Sequence, residues 1–284
     1  MKILRVIAPL AAAFVLSAAS TAPEDTALKS AIASPGRTAA FTARDQYRHP
    51  YETLAFWGLK PRQTVIEIIP GGGYWTEILA PYAKATGGIY AVTVPNLTGA
   101  SEQQIKNDAS FRARFADESK YGKIKWQIWN GKNELGAQGS ADMVITARNI
   151  HDWMWTPGDL ETILKQIHAV LKPGGILAVE DHRADPRAQV AEARDGYVST
   201  AHMVETVQKA GFKLEEASEV NANPKDTKNY PFGVWTLPPT NARKELPFMT
   251  KWAGRPGDDA LMPPEAYQAI GESDRMTLRF RKVN

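Results

Sequence analysis

The amino-acid sequence predicts an α/β fold, with a mostly parallel sheet covered by helices on both faces. Two observations carry this prediction. An apolar, β-branched run at residues 64–69 ends at Gly71, Gly72 and Gly73, and a helical pattern begins directly after it. Similar apolar runs then alternate with helical segments as far as residue 220, which is the order of elements in a parallel sheet.

Each element is predicted from its own pattern. Gly58 and Gly211 stand where helices end, and Pro157 stands near the start of one. The strands are predicted at residues 64–69, 89–94, 124–130, 141–147, 176–181, 212–220 and 275–283. The helices are predicted at residues 43–57, from about 74 to 84, and at 101–120, 157–171 and 199–210.

Composition restricts the class of protein. The chain has 284 residues, of which 43% are hydrophobic and 23% charged, as in a globular domain. The net charge is only +3 and no run rich in lysine and arginine occurs, so a nucleic-acid partner is not expected. The sequence contains no cysteine, which excludes disulfides and thiolate metal ligands.

The N-terminus has the pattern of a secretory signal peptide over residues 1–20. Lys2 and Arg5 precede an apolar stretch at residues 6–19, which ends in small residues that suit cleavage. An uncleaved membrane anchor is the alternative, but the stretch is shorter than the roughly 20 residues that span a bilayer. We therefore expect a periplasmic or secreted protein with no stable membrane anchor after cleavage.

Two segments lack helical or strand periodicity. Residues 21–40 are rich in small residues and proline, and we interpret them as a linker before a domain at residues 41–284. Residues 221–272 hold many of the prolines and form an unusually long irregular stretch. We interpret this second segment as an insertion or lid, with a surface elaboration that has no chemical role as an equal alternative.

The glycine cluster after the first strand is the strongest indication of a ligand site. Glycine lets the backbone approach a ligand closely, and the helix that follows directs its free N–H groups to the same place. In an open α/β sheet this is where a nucleotide-like ligand binds. The alternative is a strand–helix loop that needs glycine only for its own turn. No Gly-Lys-Ser/Thr follows, which excludes a phosphate loop of the Walker type.

These residues resemble class I S-adenosylmethionine-dependent methyltransferases. The resemblance rests on Glu-Ile-Ile-Pro-Gly-Gly-Gly at residues 67–73, Ala-Asp-Met-Val-Ile at 141–145 and Leu-Lys-Pro-Gly-Gly-Ile-Leu at 171–177. Residues 149–153, 181–183 and 223–226 are similar to those of an exported bacterial group of predicted methyltransferases. The resemblance implies a Rossmann-like, seven-stranded, doubly wound sheet with an antiparallel last strand, and S-adenosylmethionine as the cofactor.

The resemblance also implies where the cofactor binds. The implied contacts are Glu67, Pro70, Gly71, Gly72, Gly73, Thr93, Asn130 and Asn149. Members of this family usually carry an acidic residue at the end of the second strand, where it holds the ribose hydroxyls. Here that position offers only Thr93 or Asn96, and a neutral acceptor binds a hydroxyl more weakly than a carboxylate does.

Polar residues at the ends of the fourth and fifth strands are the catalytic candidates. His151 is the predicted general base, oriented by Asp152 or Asp181, and His182 stands beside them. The alternative for these residues is packing, capping or a salt bridge. The four side chains also suit a metal site, but their spacing does not favour one, so no metal is predicted.

The sequence leaves two functions open. One is a methyltransferase that acts on an unknown small molecule. The other is a periplasmic binding or accessory protein that keeps the fold without catalysis. The glycine loop and the polar strand ends favour the enzyme, whereas the missing acid and the signal peptide favour the binding protein. The atom methylated and the oligomeric state are not predicted.

The signal peptide leads to a first testable prediction. Mass spectrometry of the protein from its native cell should find a mature N-terminus within a few residues of Thr21, because the small-residue cleavage motifs end there. Intact Met1 on cytoplasmic protein would contradict export.

Overall fold

A computed structural model of the chain describes residues 24–249 and 254–283. The predicted signal peptide at residues 1–20 lies outside this part and stays a prediction. Within the described residues, no helix combines the length and the apolar character that crossing a membrane requires.

The sheet has seven strands in the spatial order β3-β2-β1-β4-β5-β7-β6. Their bounds are β1 Thr64–Ile68, β2 Ile89–Val94, β3 Lys125–Ile128, β4 Ala141–Ala147, β5 Leu171–His182, β6 Phe212–Ser218 and β7 Arg275–Lys282. Neighbours from β3 to β5 run parallel, whereas β7 runs antiparallel to both β5 and β6. The expected fold class, a mostly parallel sheet with an antiparallel last strand, is confirmed.

The helices lie on both faces of this sheet. They are α1 Thr26–Ile32, α2 Ala39–Thr42, α3 Asp45–Arg48, α4 Pro50–Trp57, α5 Thr76–Thr86, α6 Glu102–Arg114, α7 Glu118–Tyr121, α8 Ile150–Trp153, α9 Asp159–Val170, α10 Thr200–Lys209 and α11 Pro264–Ile270. Short 3₁₀ turns occur at Ala191–Ala193 and Gly233–Thr236.

Burial on both faces explains why the central strands are apolar throughout. In β1, Ile66 packs into the core beneath α9 and α10, whereas its neighbour Val65 packs into the core beneath α1, α4 and α5. In β4, Val144 packs into the first of these cores and Met143 into the second. A strand buried on both sides has no polar face, so it reads as a continuous apolar run.

Several predicted helices are divided or shifted. The helix predicted at residues 43–57 is two helices, since His49 adopts a left-handed φ of 38° between α3 and α4, and Pro50 begins the second. The helix predicted at residues 101–120 also divides into α6 and α7, where Asp117 caps a new N-terminus. The fifth strand begins at Leu171 rather than at residue 176, so it includes the Lys-Pro-Gly-Gly segment.

The segment interpreted as a linker is not irregular throughout, because residues 26–32 form α1. Asp25 caps this helix through the backbone N–H of Leu28 and also accepts a hydrogen bond from the Tyr82 hydroxyl at 2.6 Å. Leu28 and Ala31 are buried against α5 and its neighbours. A helix of seven residues, of which only these two are fully buried, is too short for a clear periodic signal, which is why composition predicted a linker.

The described residues of the 221–272 segment, 221–249 and 254–272, contain α11 and one 3₁₀ turn and are otherwise irregular. They form small apolar clusters of their own, one of which contains Tyr230, Leu237 and Tyr267. The polypeptide is therefore ordered by local packing rather than by the sheet.

The packing of α1 leads to a prediction about stability. Leu28→Ala should lower the free energy of unfolding by about 2–5 kcal/mol, because Leu28 is 1% exposed and its loss leaves a cavity. Urea denaturation followed by circular dichroism measures this. Ser30→Ala, at an exposed position of the same helix, is the control and should change stability by less than about 0.5 kcal/mol. Equal effects of the two variants would show that α1 does not belong to the folded core.

Candidate active site

The glycine loop after β1 places one open backbone position at the carboxyl edge of the sheet. Gly71 has a left-handed φ of 56°, and nothing lies within 4 Å of where its Cβ would stand. Gly73 also has a left-handed φ, 87°, but a Cβ there would meet the Arg114 guanidinium at 2.5 Å and the Phe115 ring at 2.8 Å. Gly73 therefore serves packing, whereas Gly71 leaves space for a ligand.

Gly72 differs from both neighbours. Its φ is not left-handed, and a Cβ there would lie 3.4 Å from the ring of Phe41. A side chain at this position is limited by space rather than by backbone strain.

A larger cavity of about 590 Å³ opens at the carboxyl ends of β1, β2 and β3, in the size range of small-molecule sites. Its apolar wall includes Phe111, Trp129 and Trp153. Pro70, Gly71, Thr93 and Asn130, four of the residues implied as cofactor contacts, also line it. The larger cavity is thus apolar, with a few polar groups at one side.

The two polar candidates in the larger cavity already have backbone partners. Thr93 is buried, and its hydroxyl accepts a hydrogen bond from the N–H of Ile69 at 2.8 Å. The side-chain oxygen of Asn130 accepts from the N–H groups of Lys132 and Asn133, so Asn130 holds a turn. Thr93 therefore ties the end of β2 to the end of β1 beside the glycine loop.

A second cavity, of about 290 Å³, continues from the first and shares Ile69, Pro70 and Gly71 with it. We call it the arginine pocket, because its walls include Arg44, Arg48, Arg148 and Arg275. Glu67, Gly72, Asn149, His151, Asp152 and His182 of the predicted site also line it. The pocket lies where the strand order turns from β1 to β4, the usual ligand position in a doubly wound sheet.

Residues of the 221–272 segment close one side of the arginine pocket. Val234, Trp235, Pro238, Pro239 and Thr240 are among its lining residues. The ring of Trp235 lies 5.9 Å from the ring of His151, centroid to centroid. The segment therefore forms part of the candidate site.

His151 is held by Asp181, at the end of the adjacent strand β5. The two side chains meet at 2.7 Å between Nδ1 and Oδ1. The other carboxylate oxygen of Asp181 accepts from the backbone N–H groups of Ile150 and His151, which begin α8. Asp181 thus fixes both the ring and the backbone that carries it, whereas Nε2 of His151 is turned towards Asp152, 3.3 Å away.

Two carboxylates make His151 more basic than an ordinary histidine. Although burial favours the neutral ring, the charges of Asp181 and Asp152 outweigh it and raise the pKa of His151. Burial also raises the pKa of Asp152. The geometry is that of a general base held and oriented by a carboxylate.

His182 lies beside His151 but has the opposite electrostatic surroundings. The two ring centroids are 5.0 Å apart, and Nδ1 of His182 lies 2.5 Å from the Ser273 hydroxyl. Burial, with the nearby charges of His151 and Arg148, lowers the pKa of His182 well below its usual value. His182 is therefore a neutral neighbour of the base.

His151, Asp181 and His182 also lie close enough together to be considered as metal ligands. However, Asp181 accepts three backbone N–H groups, including that of His182 at 2.8 Å, as well as the His151 ring. Its lone pairs are thus in use, and Arg148 adds a positive charge to the same pocket. The arrangement fits an oriented base better than a cation site.

Glu67 and Asn149 join the elements around the glycine loop. Glu67 accepts hydrogen bonds from the hydroxyls of Thr76, at 2.8 Å, and Tyr90. Burial raises the pKa of Glu67 to about 7. The amide nitrogen of Asn149 donates to the Ile68 carbonyl at 3.0 Å, which links the ends of β1 and β4. Both residues line the pocket and also hold its walls together.

Sequence reasoning did not find the four arginines. Arg148 directly follows β4 and precedes Asn149, so its position among the strand ends was a usable signal. Arg44 and Arg48 are four residues apart in a segment predicted to be helical, which places them on one face. Only the folded chain brings Arg275, from the start of β7, to the same place.

The two histidines lead to a prediction for NMR titration. The His151 ring should lose its proton at a pH above 6.5, so that the base form accumulates as pH rises, whereas His182 should remain neutral far below 6.5. The chain has five histidines, and single-histidine substitutions assign their ring signals. Asp181→Asn should lower the midpoint of His151, because it removes the negative charge that raises the pKa. Asp185→Asn, at a surface pair with Lys228, is the control, and equal midpoints in both variants would contradict the role of Asp181.

No protein-family profile matches the chain. An uncharacterized methyltransferase of Synechocystis sp. is 30% identical over 135 residues, which is 47% of this chain. The chain spans about half the length of this curated relative, 53%.

Solved structures resemble the chain at low sequence identity. The 4+2 cyclase SpnF aligns with a TM-score of 0.50 and 13% identity over 82% of this chain and 79% of its own. A SAM-dependent methyltransferase of Aquifex aeolicus aligns with a TM-score of 0.49 and 17% identity over 63% of this chain and 87% of its own. Such likeness concerns the fold alone. With its strand order and antiparallel last strand, the chain has the Rossmann-like fold of class I S-adenosylmethionine-dependent methyltransferases.

Proposed function

We propose that this protein is an S-adenosylmethionine-dependent methyltransferase that acts on a small molecule. The observation that carries the proposal is the meeting of two cavities at Gly71. The larger, mostly apolar cavity suits the cofactor, and the arginine pocket, which contains His151, suits the methyl acceptor. The curated Synechocystis relative, also called a methyltransferase, agrees with this proposal.

The residues of the larger cavity fit the proposed cofactor. Gly71 leaves open space where a side chain would otherwise stand, which permits close approach to the backbone. Trp129, Trp153 and Phe111 offer apolar and aromatic surface to a purine ring. Thr93, beside the glycine loop, is the polar group at the position where relatives hold a ribose. S-adenosylmethionine, when bound, supplies an electrophilic methyl group.

His151 is the proposed general base. His151 lines the arginine pocket, and its Nε2, which Asp181 leaves free, receives a proton from the acceptor, while Asp181 holds Nδ1 and stabilises the positive ring that results. Because the pKa of His151 is raised, this base needs a higher pH than an ordinary histidine to become neutral. We therefore expect the rate to rise with pH as the ring loses its proton.

Export to the periplasm is part of the same proposal. It is supported by the charged and apolar pattern of residues 1–20 alone. Under this proposal the cofactor reaches the enzyme outside the compartment in which it is made.

A binding or accessory protein without catalysis is the second candidate function. One observation favours it, because the end of β2 carries Thr93 in place of a carboxylate, and the Thr93 hydroxyl already accepts the Ile69 N–H. The two candidates differ in whether the larger cavity binds S-adenosylmethionine.

Isothermal calorimetry with S-adenosylmethionine and S-adenosylhomocysteine tests the proposal. The wild-type protein should bind both ligands, and Thr93→Asp should bind them about tenfold more tightly. One carboxylate oxygen can keep the Ile69 N–H while the other accepts from the ribose, and a charge-assisted hydrogen bond contributes roughly 1.5–3 kcal/mol.

Thr93→Asn is the matched control, because it has nearly the same shape as the aspartate without its charge, and it should not tighten binding. Folding of each variant is checked by circular dichroism. If neither the wild-type protein nor Thr93→Asp binds either ligand at millimolar concentration, the methyltransferase proposal is lost and the second candidate gains support.

A further inference from the structure

The arginine pocket gathers four guanidinium groups from distant parts of the chain. Arg44 and Arg48 come from the N-terminal helices around α3, Arg148 follows β4, and Arg275 begins β7. The glycine loop and His151 line the same pocket. This concentration of positive charge is a property of the pocket and not of the chain, whose net charge is only +3.

The carboxylates in contact with these arginines do not balance them. Glu272 pairs with Arg44 at 2.5 Å, with Arg48 at 3.0 Å, and with Arg275. Glu180 pairs with Arg275 at 3.1 Å. These two carboxylates thus pair with three of the four guanidinium groups, while Asp152, which also lines the pocket, pairs with none of the four.

Several of the guanidinium nitrogens are buried without a hydrogen-bond partner. Among the residues that the structure describes, this holds for Nη2 of Arg44, Nη2 of Arg48 and Nε of Arg148. The Arg48 side chain is only 1% exposed, so water does not readily replace the missing partner. Buried donors that lack an acceptor cost free energy, and they indicate a ligand that supplies acceptors.

Arg148 differs from the other three arginines of the pocket in its ion pairing. No ion pair joins it to a carboxylate within the described ranges 24–249 and 254–283, whereas Arg44, Arg48 and Arg275 each have one. Its backbone adopts a left-handed φ of 63°, which is uncommon for a residue with a side chain. Backbone strain of this kind is typical of functional sites, where the surrounding structure holds a residue in a required conformation.

The arginines also repel one another. Burial, together with the charge of Arg148, lowers the pKa of Arg48 well below its usual value. Burial and the charge of Arg275 also lower the pKa of Arg148. A bound anion would relieve this repulsion, whereas a metal cation would increase it.

We propose that the arginine pocket binds an anionic group of the methyl acceptor, a carboxylate or a phosphate, through Arg148 with Arg44 and Arg48. The inference rests on the proposed function and names the class of its substrate. Guanidinium groups bind both kinds of oxyanion through paired, charge-assisted hydrogen bonds. The anion would hold the acceptor with its reacting atom near His151, which lines the same pocket.

The amino-acid end of the cofactor also has a carboxylate, so the experiment must separate two sources of the anion. Inorganic phosphate is titrated by calorimetry into the purified protein at constant ionic strength, with and without saturating S-adenosylhomocysteine. We expect phosphate to bind in both conditions. In Arg148→Gln, phosphate should bind at least tenfold more weakly, while the affinity for S-adenosylhomocysteine should remain unchanged.

Two further variants control this measurement. Arg194→Gln removes a guanidinium that pairs with Glu192 and does not line the pocket, and phosphate affinity should not change. Arg148→Lys keeps the charge but not the paired donors, and its affinity should be intermediate. Without phosphate, Arg148→Gln should melt at the same temperature as the wild type or higher, because the substitution removes one positive charge from a cluster of positive charges. Phosphate should then raise the melting temperature of the wild type more than that of the variant.

Three other outcomes would each overturn one of the proposals. Equal phosphate affinity in Arg148→Gln and Arg194→Gln would overturn the anion site. Loss of phosphate binding under saturating S-adenosylhomocysteine, with weaker S-adenosylhomocysteine binding in Arg148→Gln, would assign the arginines to the cofactor carboxylate and overturn the acceptor site. Phosphate binding that depends on Arg148, in a protein that does not bind S-adenosylhomocysteine, would support an anion site and overturn the methyltransferase proposal.

Discussion

The carboxyl edge of the sheet depends on one buried carboxylate, Glu272, which binds the guanidinium groups of Arg44, Arg48 and Arg275. Although burial favours the neutral acid, Arg275 and the other arginines hold its pKa well below the usual range, so Glu272 is charged. It joins the N-terminal helices to β7, residues more than 220 positions apart along the chain. Removal of one partner from a buried ion pair costs about 3–5 kcal/mol, because the other charge is left uncompensated. The positions of the arginines in the pocket walls therefore depend on this ion-pair network.

A second buried carboxylate, Asp181, positions the candidate general base at the same edge of the sheet. It accepts backbone N–H groups from the start of α8 and holds the ring of His151. Its charge raises the pKa of His151, whereas burial, with the nearby charges of His151 and the arginines, lowers the pKa of the neighbouring His182. The pKa values of two histidines whose rings lie 5.0 Å apart are thus shifted in opposite directions, because both rings are buried but only the ring of His151 contacts carboxylates. The pocket offers a base on one side and donors for an anion on the other.

The fold does not decide the chemistry that this site performs. A sheet of this type places its ligands at the carboxyl ends of the strands, where the strand order reverses, whatever the ligand is. The structural likeness extends to a cyclase, and one fold can support several reactions. The features that bear on function are the open backbone at Gly71, the oriented ring of His151, and Arg148, which has no ion pair within the part of the chain that the structure describes. Ile69 and Arg148, both with left-handed φ, stand at the ends of β1 and β4 beside that site. Their strain is typical of positions fixed for function rather than for stability.

Local patterns in the sequence determined the order of strands and helices, the bounds of β2 and β4, and the glycine loop. Apolar runs and turn residues act over a few neighbours, so they can be recognised without the fold. The sequence also placed His151, Asp152, Asp181 and His182 at strand ends, and the parallel sheet brings them together. The tertiary structure alone decided that α1 packs on the domain, that Gly71 rather than Gly72 has the open backbone position, and that four arginines form one pocket. Those features arise from contacts between residues far apart in the chain. The fold decides which charges surround a side chain such as Arg148, how deeply it is buried and which partners it has, because the sheet order sets its neighbours.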